Sequence, residues 1–180
     1  MTDSREKRFA LACVAAGLVV VADQATKAAA IAGLSATEGL PLLGDLVTLR
    51  LAFNPGGVLS FGAQAPWLLT ALGLVSIALI ATAMIRARTT PWAVGLGIIL
   101  GGAIGNTVDR LFSPPGFGVG HVTDFLAYGT LFIGNLADLA LAVGAIILMA
   151  TLWSQSRVRQ ADAARRSSPG SAAPTVGHAQ

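Results

Sequence analysis

Residues 92–112 read WAVGLGIILGGAIGNTVDRLF, a run of apolar and small residues that turns polar only towards its end. A helix needs about 20 mainly apolar residues to cross a bilayer core, and this run has that length. Outward from it the chain offers three comparable runs: about Phe9 to Leu34, Pro66 to Ile85 and Leu131 to Trp153. Of the 180 residues 54% are hydrophobic and 12% charged, and mean hydropathy is +0.69. An average soluble domain carries about 25% charge, so the expected fold class is an all-α integral membrane protein with four transmembrane helices.

The basic residues report topology. Arg5, Lys7 and Arg8 precede the first run, Arg86 and Arg88 separate the second from the third, and Arg157, Arg159, Arg165 and Arg166 follow the fourth. By the positive-inside rule both termini are expected in the cytoplasm, with segments of about 35–65 and 113–130 outside. The pI near 9.8 is thereby explained without nucleic acid as a partner. Trp67, Trp92 and Trp153 fall at span ends, as interfacial anchors do. Arg5 to Arg8 followed by apolar residues also resembles a secretory signal, but Asp23, Gln24 and Lys27 fit a cleavage region poorly, and the reading keeps this run as a span. Cys13 is the single cysteine, so no intramolecular disulfide or thiol metal cluster is available; it is expected to pack as a small apolar residue. His121 and His178 lack a second histidine at ligand spacing, which argues against a zinc protease, and neither metal nor cofactor is expected.

Between the spans, Val47, Leu49, Leu51 and Phe53 alternate with Thr48, Arg50 and Ala52, which is strand periodicity. Asn54-Pro55-Gly56-Gly57 supplies turn chemistry, and Val58 to Phe61 is expected to return as a partner strand. The result is a small amphipathic β-sheet on the extracytoplasmic side. Ser113 to Gly118 is rich in breakers and is expected to be a loop. Residues 1–155 are thus the membrane domain, and 156–180, where the apolar runs cease, are expected to be a disordered cytoplasmic tail.

The polar residues within the spans share one depth. The first span carries Asp23, Gln24 and Lys27 at its outer end, the third carries Asn106, Asp109 and Arg110, and the fourth begins with Asn135 and Asp138. Asn54 and Ser60 lie on the same side. Spacings of three and four put each group on one helix face. Gly101, Gly102 and Gly105, just below the third group, permit close helix packing. A four-helix bundle with a polar pocket open to the outside follows. Asp124 and Asp138 flank the start of the last apolar run, where a carboxylate is costly unless paired, solvated or protonated. Two carboxylates brought together share a proton; the ionised member can activate water while the protonated one polarises a carbonyl.

Taken together, Asp23-Gln24-Ala25-Thr26-Lys27, Asn54-Pro55-Gly56, the run Gly101 to Arg110, Val122-Thr123-Asp124-Phe125 and Asn135-Leu136-Ala137-Asp138 resemble the motifs of the lipoprotein signal peptidases, or signal peptidases II, in order and over about residues 20 to 140. The resemblance implies that Asp124 and Asp138 are a catalytic dyad of a bacterial inner-membrane aspartic endopeptidase. It further implies that the substrate is a prolipoprotein cut just before its diacylglyceryl-modified cysteine. Gly134 departs from the family, which often has an aromatic there, with Phe132 two residues earlier; Leu139 stands where a serine is common.

Asp23 with Lys27 is read as an ion pair supporting the site. Asp109 and Arg110 are read as organising it, with Arg110 either holding Asp124 or anchoring the third span. Asn54, Asn106 and Asn135 suit gripping a peptide backbone or orienting an aspartate. Gly56, Gly105 and Ala137 complete the supporting set, and His121 is read as a loop residue near Asp124. A single bundle can act as a monomer, with lipid and substrate as its partners. The rival reading, a small proton-coupled transporter, requires acidic residues deeper in the spans, and none is there. A scaffold protein would leave the shared depth of the polar groups unexplained.

Overall fold

The computed structural model describes residues 2–44, 46–57 and 62–167. The elements are α1 (Thr2–Gly33), β1 (Leu40–Leu43), β2 (Val47–Asn54), α2 (Pro66–Ile85), α3 (Thr90–Phe112), β3 (Val122–Tyr128), β4 (Phe132–Gly134) and α4 (Leu136–Ser167). All four helices are long and apolar enough to cross a membrane. In α3 half of the most apolar window is buried within the protein, against 11–17% in the other three. It is therefore the central helix, and α1, α2 and α4 pack around it.

Small residues make that packing possible. The core joins Ala12 and Ala16 of α1, Met84 at the end of α2 and Ala87 just beyond it, and Ala93, Leu96 and Leu100 of α3. A Cβ on Gly101 would come within 2.7 Å of the Ala16 carbonyl oxygen, and one on Gly102 within 2.7 Å of the Ala137 carbonyl oxygen. Two adjacent glycines thus let α1 and α4 approach α3 from different sides, as dispersion-driven packing in lipid favours. Large apolar side chains such as Leu18, Val21, Leu79 and Ile146 point outward instead, the arrangement expected where hydrocarbon replaces water as solvent. Cys13 also faces outward rather than into the bundle.

The strands form one antiparallel sheet in the order β1-β2-β3-β4. Its membership goes beyond the sequence reading. The breakers of the second outer segment stop at Gly120, and Val122–Tyr128, with its valine, threonine and aromatics, is a strand that pairs with β2. The return strand expected at 58–61 lies outside the described residues. The alternation of β2 is interrupted too. Leu49 pairs with Leu126 but Ala52 with Asp124, so a bulge inserts one residue into β2 and exchanges the faces beyond it.

Two helix ends also differ from expectation. The apolar run from Leu131 is strand until Gly134, and α4 starts only at Leu136 because Asn135 caps it. At the other end α4 continues to Ser167, through a segment expected to be disordered from residue 156. That segment is rich in alanine, arginine and glutamine and meets no proline or glycine before Pro169, so helix propensity carries it beyond the apolar stretch.

Candidate active site

At the start of α4, Asn135 and Asp138 bond reciprocally. The Asn135 N–H donates to Asp138 Oδ2 (3.2 Å), and the Asp138 N–H donates to Asn135 Oδ1 (3.0 Å). This is the capping-box arrangement, which satisfies donors that the first helical turn leaves open. It also fixes the Asp138 carboxylate, whose other oxygen accepts from Asn106 Nδ2 of α3 (2.9 Å).

Asp124 arrives on β3. It stands opposite Ala52, and because β-strand side chains alternate, Asn54 two residues on shares its face. Asn54 Nδ2 donates to Asp124 Oδ2 (3.2 Å), while Asn135 Nδ2 donates to Asp124 Oδ1 (2.6 Å) and to Asn106 Oδ1 (3.1 Å). Each of the four carboxylate oxygens thus accepts an N–H, and the Asn135 and Asn106 amides link the two acids. Both line one cavity of about 100 Å³, shared with Asn54, Asn106, Arg110 and Phe132, with room for several waters. Asp124 is 3% exposed. Burial first, and then the neighbouring Asp138 charge, push its carboxyl from 3.8 up to about 6, against the opposing pull of the Asn135 and Asn54 hydrogen bonds and of Lys27.

Beneath the acids lies a buried ionic network. Lys27 Nζ contacts Asp23 Oδ2 (2.8 Å), Asp109 Oδ2 (3.0 Å) and Asn106 Oδ1 (3.0 Å), and both Lys27 and Asp23 are almost wholly buried. Each carboxylate also holds backbone in place. Asp23 Oδ1 accepts from the Ala137 N–H (2.9 Å) at the start of α4, and Asp109 Oδ2 accepts from the Thr123 N–H (2.9 Å), next to Asp124. Lys27 therefore ties together the two segments that carry the acids. Gly105 makes room for it, since a Cβ there would sit 2.5 Å from Asp23 Oδ2.

Arg110 lines the same cavity as Asp124. Its guanidinium donates to the carbonyls of Gly56 and Pro55, clamping the turn after β2, while Asn54 Oδ1 accepts from the Gly56 N–H (2.9 Å). Arg110 thus acts on Asp124 by its charge, across the cavity both line, and through Asn54. His121 is half-buried, donates its backbone N–H to Pro114, and does not line the cavity. All twelve expected site residues, drawn from α1, the β2 turn, α3, β3 and α4, converge on this one end of the bundle; Ser60 lies outside the described residues.

Three contributors were named in the sequence but given no role in the site. Gln24 Nε2 donates to Asp23, the Gly105 carbonyl and Asp109; its place between Asp23 and Lys27 was the available signal. Thr123 takes part through its backbone, which no side-chain pattern reveals. Phe132 walls the cavity and stacks on Tyr128 with ring centroids 4.7 Å apart.

Known proteins resemble this chain over most of its length. The signal peptidase (SPase) II family model matches residues 15–154. A lipoprotein signal peptidase of Rhodococcus jostii is 42% identical over 146 residues, covering 79% of this chain and 72% of that protein. Those of Leifsonia xyli, at 40% (76% and 64%), and Mycobacterium avium, at 39% (82% and 81%), are also similar. Two solved structures described as bacterial membrane enzymes share the fold, with TM-scores of 0.67 and 0.65 at 20% and 22% identity. They cover 81% and 78% of this chain and 88% and 91% of theirs. With most of its length matched by the family model and by these relatives, this chain belongs to the signal peptidase II family, membrane-embedded peptidases with four apolar helices and a small antiparallel sheet.

Proposed function

We propose that this protein removes signal peptides from diacylglyceryl-modified prolipoproteins by aspartic catalysis, cutting just before the lipidated cysteine. The observation that carries the reading is that Asp124 and Asp138 line one small cavity with all four carboxylate oxygens held by N–H donors. The relatives' description as lipoprotein signal peptidases supports the substrate class.

Asp124, the more buried acid, holds the shared proton, and Asp138 is the base. Water gives a proton to Asp138 as its oxygen bonds to the scissile carbonyl carbon, and the Asp124 proton passes to the carbonyl oxygen. The resulting gem-diol collapses when Asp138 protonates the leaving amine and one diol hydroxyl returns its proton to Asp124. The C–N bond breaks, and the enzyme regains its starting state. Asn54, Asn106 and Asn135 orient the acids. An apolar cleft of about 310 Å³ beside Asp124, lined by Phe53, Leu131, Phe132 and Ile133, receives apolar substrate entering laterally from the bilayer. With both termini in the cytoplasm the dyad lies at the extracytoplasmic boundary, and one bundle acts as a monomer.

Purified protein and a diacylated prolipoprotein in bilayers are expected to yield a product beginning at the modified cysteine. Asp124→Asn and Asp138→Asn are each expected to abolish it. Normal cleavage by both variants would overturn the assignment.

A further inference from the structure

At the end of the bundle remote from the acids, α2 stops at Ile85 and α3 begins at Thr90. The turn between them is rigid. Ala87 and Ala93 are buried, and the Arg86, Ala87 and Ala93 N–H groups bond to the Ala83, Met84 and Thr89 carbonyls at 3.0–3.1 Å. Buried Ala87 separates two exposed arginines, Arg86 and Arg88, and both line a cleft of about 240 Å³ closed by Trp92 of α3 and by Leu152 and Gln155 of α4. No carboxylate lines this cleft, and among the described residues neither arginine is seen in an ion pair. We propose that this cleft binds the phosphate of an anionic phospholipid, with Arg86 and Arg88 gripping the headgroup and Trp92 and Leu152 receiving the glycerol and upper acyl carbons.

Three features select that occupant. Guanidinium groups match phosphate oxygens through paired N–H donors, and these two have no competing internal anion. Trp92 and Leu152 give the cleft apolar lining, and Ile85 and Trp153, each next in sequence to a lining residue, are exposed large apolar side chains, which suits an acyl chain and not a fully hydrated anion. Further basic groups lie nearby, with Glu6 as an acidic neighbour of Arg5: Arg5 Nη2 donates to the Ile85 carbonyl (3.3 Å), and Arg157 lies 5.0 Å over the Trp153 ring. A basic pocket between helices at a membrane boundary is the recurring form of an anionic-lipid site. The cleft is separate from the peptidase centre, since Trp92, which lines the one, and Asn106, which lines the other, are fourteen positions apart on α3, a rise of about 21 Å.

The test uses the full chain in uncharged detergent, with Trp67→Phe and Trp153→Phe leaving Trp92 as the single tryptophan. Brominated phosphatidylglycerol is expected to quench Trp92 saturably, and brominated phosphatidylcholine to need at least about ten-fold more lipid. Arg86→Gln with Arg88→Gln should weaken phosphatidylglycerol binding about ten-fold or more, whereas Arg157→Gln with Arg159→Gln, which removes the same charge, should change it less than about three-fold. An unaltered unfolding midpoint without lipid verifies folding, and phosphatidylglycerol should raise that midpoint in the protein with both arginines but not in the Arg86→Gln, Arg88→Gln form. Equal weakening by the two double variants would overturn the site in favour of diffuse attraction. Equal quenching by the two lipids, or displacement by millimolar glycerophosphate, would overturn the occupant.

Discussion

Asp124→Asn should remove a pH dependence of stability that the native protein shows between about pH 4 and 6. Burial and the Asp138 charge push the Asp124 carboxyl from 3.8 up to about 6. Below pH 3.8 it is protonated whether the chain is folded or not, and no penalty arises. As pH rises, the unfolded chain releases this proton first, so the folded state binds more protons and loses stability until about pH 6. At about 1.4 kcal/mol per pH unit, ionising Asp124 costs the fold about 3 kcal/mol. For a chain of this size that corresponds to a fall in unfolding midpoint of roughly 6–12 °C. Thermal unfolding in detergent from pH 4 to 7.5 measures it directly. Asp124→Asn, which keeps the shape and removes the charge, should show that much less decline and should be the more stable form at pH 7. Asp138→Asn supplies a second reading: it removes the like charge and should shift the decline to lower pH. Parallel curves for native protein and Asp124→Asn would refute the reasoning.

Three further outcomes follow from the geometry. Lys27→Met leaves Asp23 and Asp109 buried without their cation, and breaking a buried pair costs about 3–5 kcal/mol; an unfolding midpoint within 2 °C of native, on the scale of about 2–4 °C per kcal/mol, would contradict the network. Gly105→Ala sets a methyl 2.5 Å from Asp23 Oδ2, and such overpacking is expected to destabilise by about 1–3 kcal/mol in chemical or thermal unfolding. Gly134→Ala sets a methyl 2.9 Å from Asp138 Oδ2 and 3.4 Å from the Phe132 ring. It should lower kcat about ten- to hundred-fold by displacing the acid, with KM changed less than about three-fold; an unchanged kcat would show that Asp138 does not need this space.

The helices were legible because membrane spans announce themselves locally. Pro66–Ile85 agrees with the sequence reading at both ends, since it is uniformly apolar and starts at proline. The sheet was only half legible. The alternation of Val47 to Phe53 marked β2, but β3 follows a proline- and glycine-rich stretch that masks it, and no local pattern announces the bulge that turns Asn54 towards Asp124. Arg110 illustrates the same limit. Its charge and depth marked it as part of the site, yet its partners are main-chain carbonyls of Pro55 and Gly56, which sequence does not distinguish from any others. At Gly134, which departs from the family, a Cβ would stand 2.9 Å from Asp138 Oδ2, a closeness that no local pattern reveals.

The sequence by itself determined what apolar length, helical spacing and charge placement determine: four spans, a common depth for the polar residues, and Asp124 and Asp138 as the acids to watch. Those properties are local, because each helix must satisfy its own backbone in lipid whatever its neighbours do. The tertiary structure decided which groups meet. Asp124 and Asp138 lie on different elements, and their joining through Asn135 and Asn106 depends on a strand register, a helix cap and two glycines that let α1 and α4 close on α3. Such contacts arise from packing distance and register, which are set only when separate segments come together.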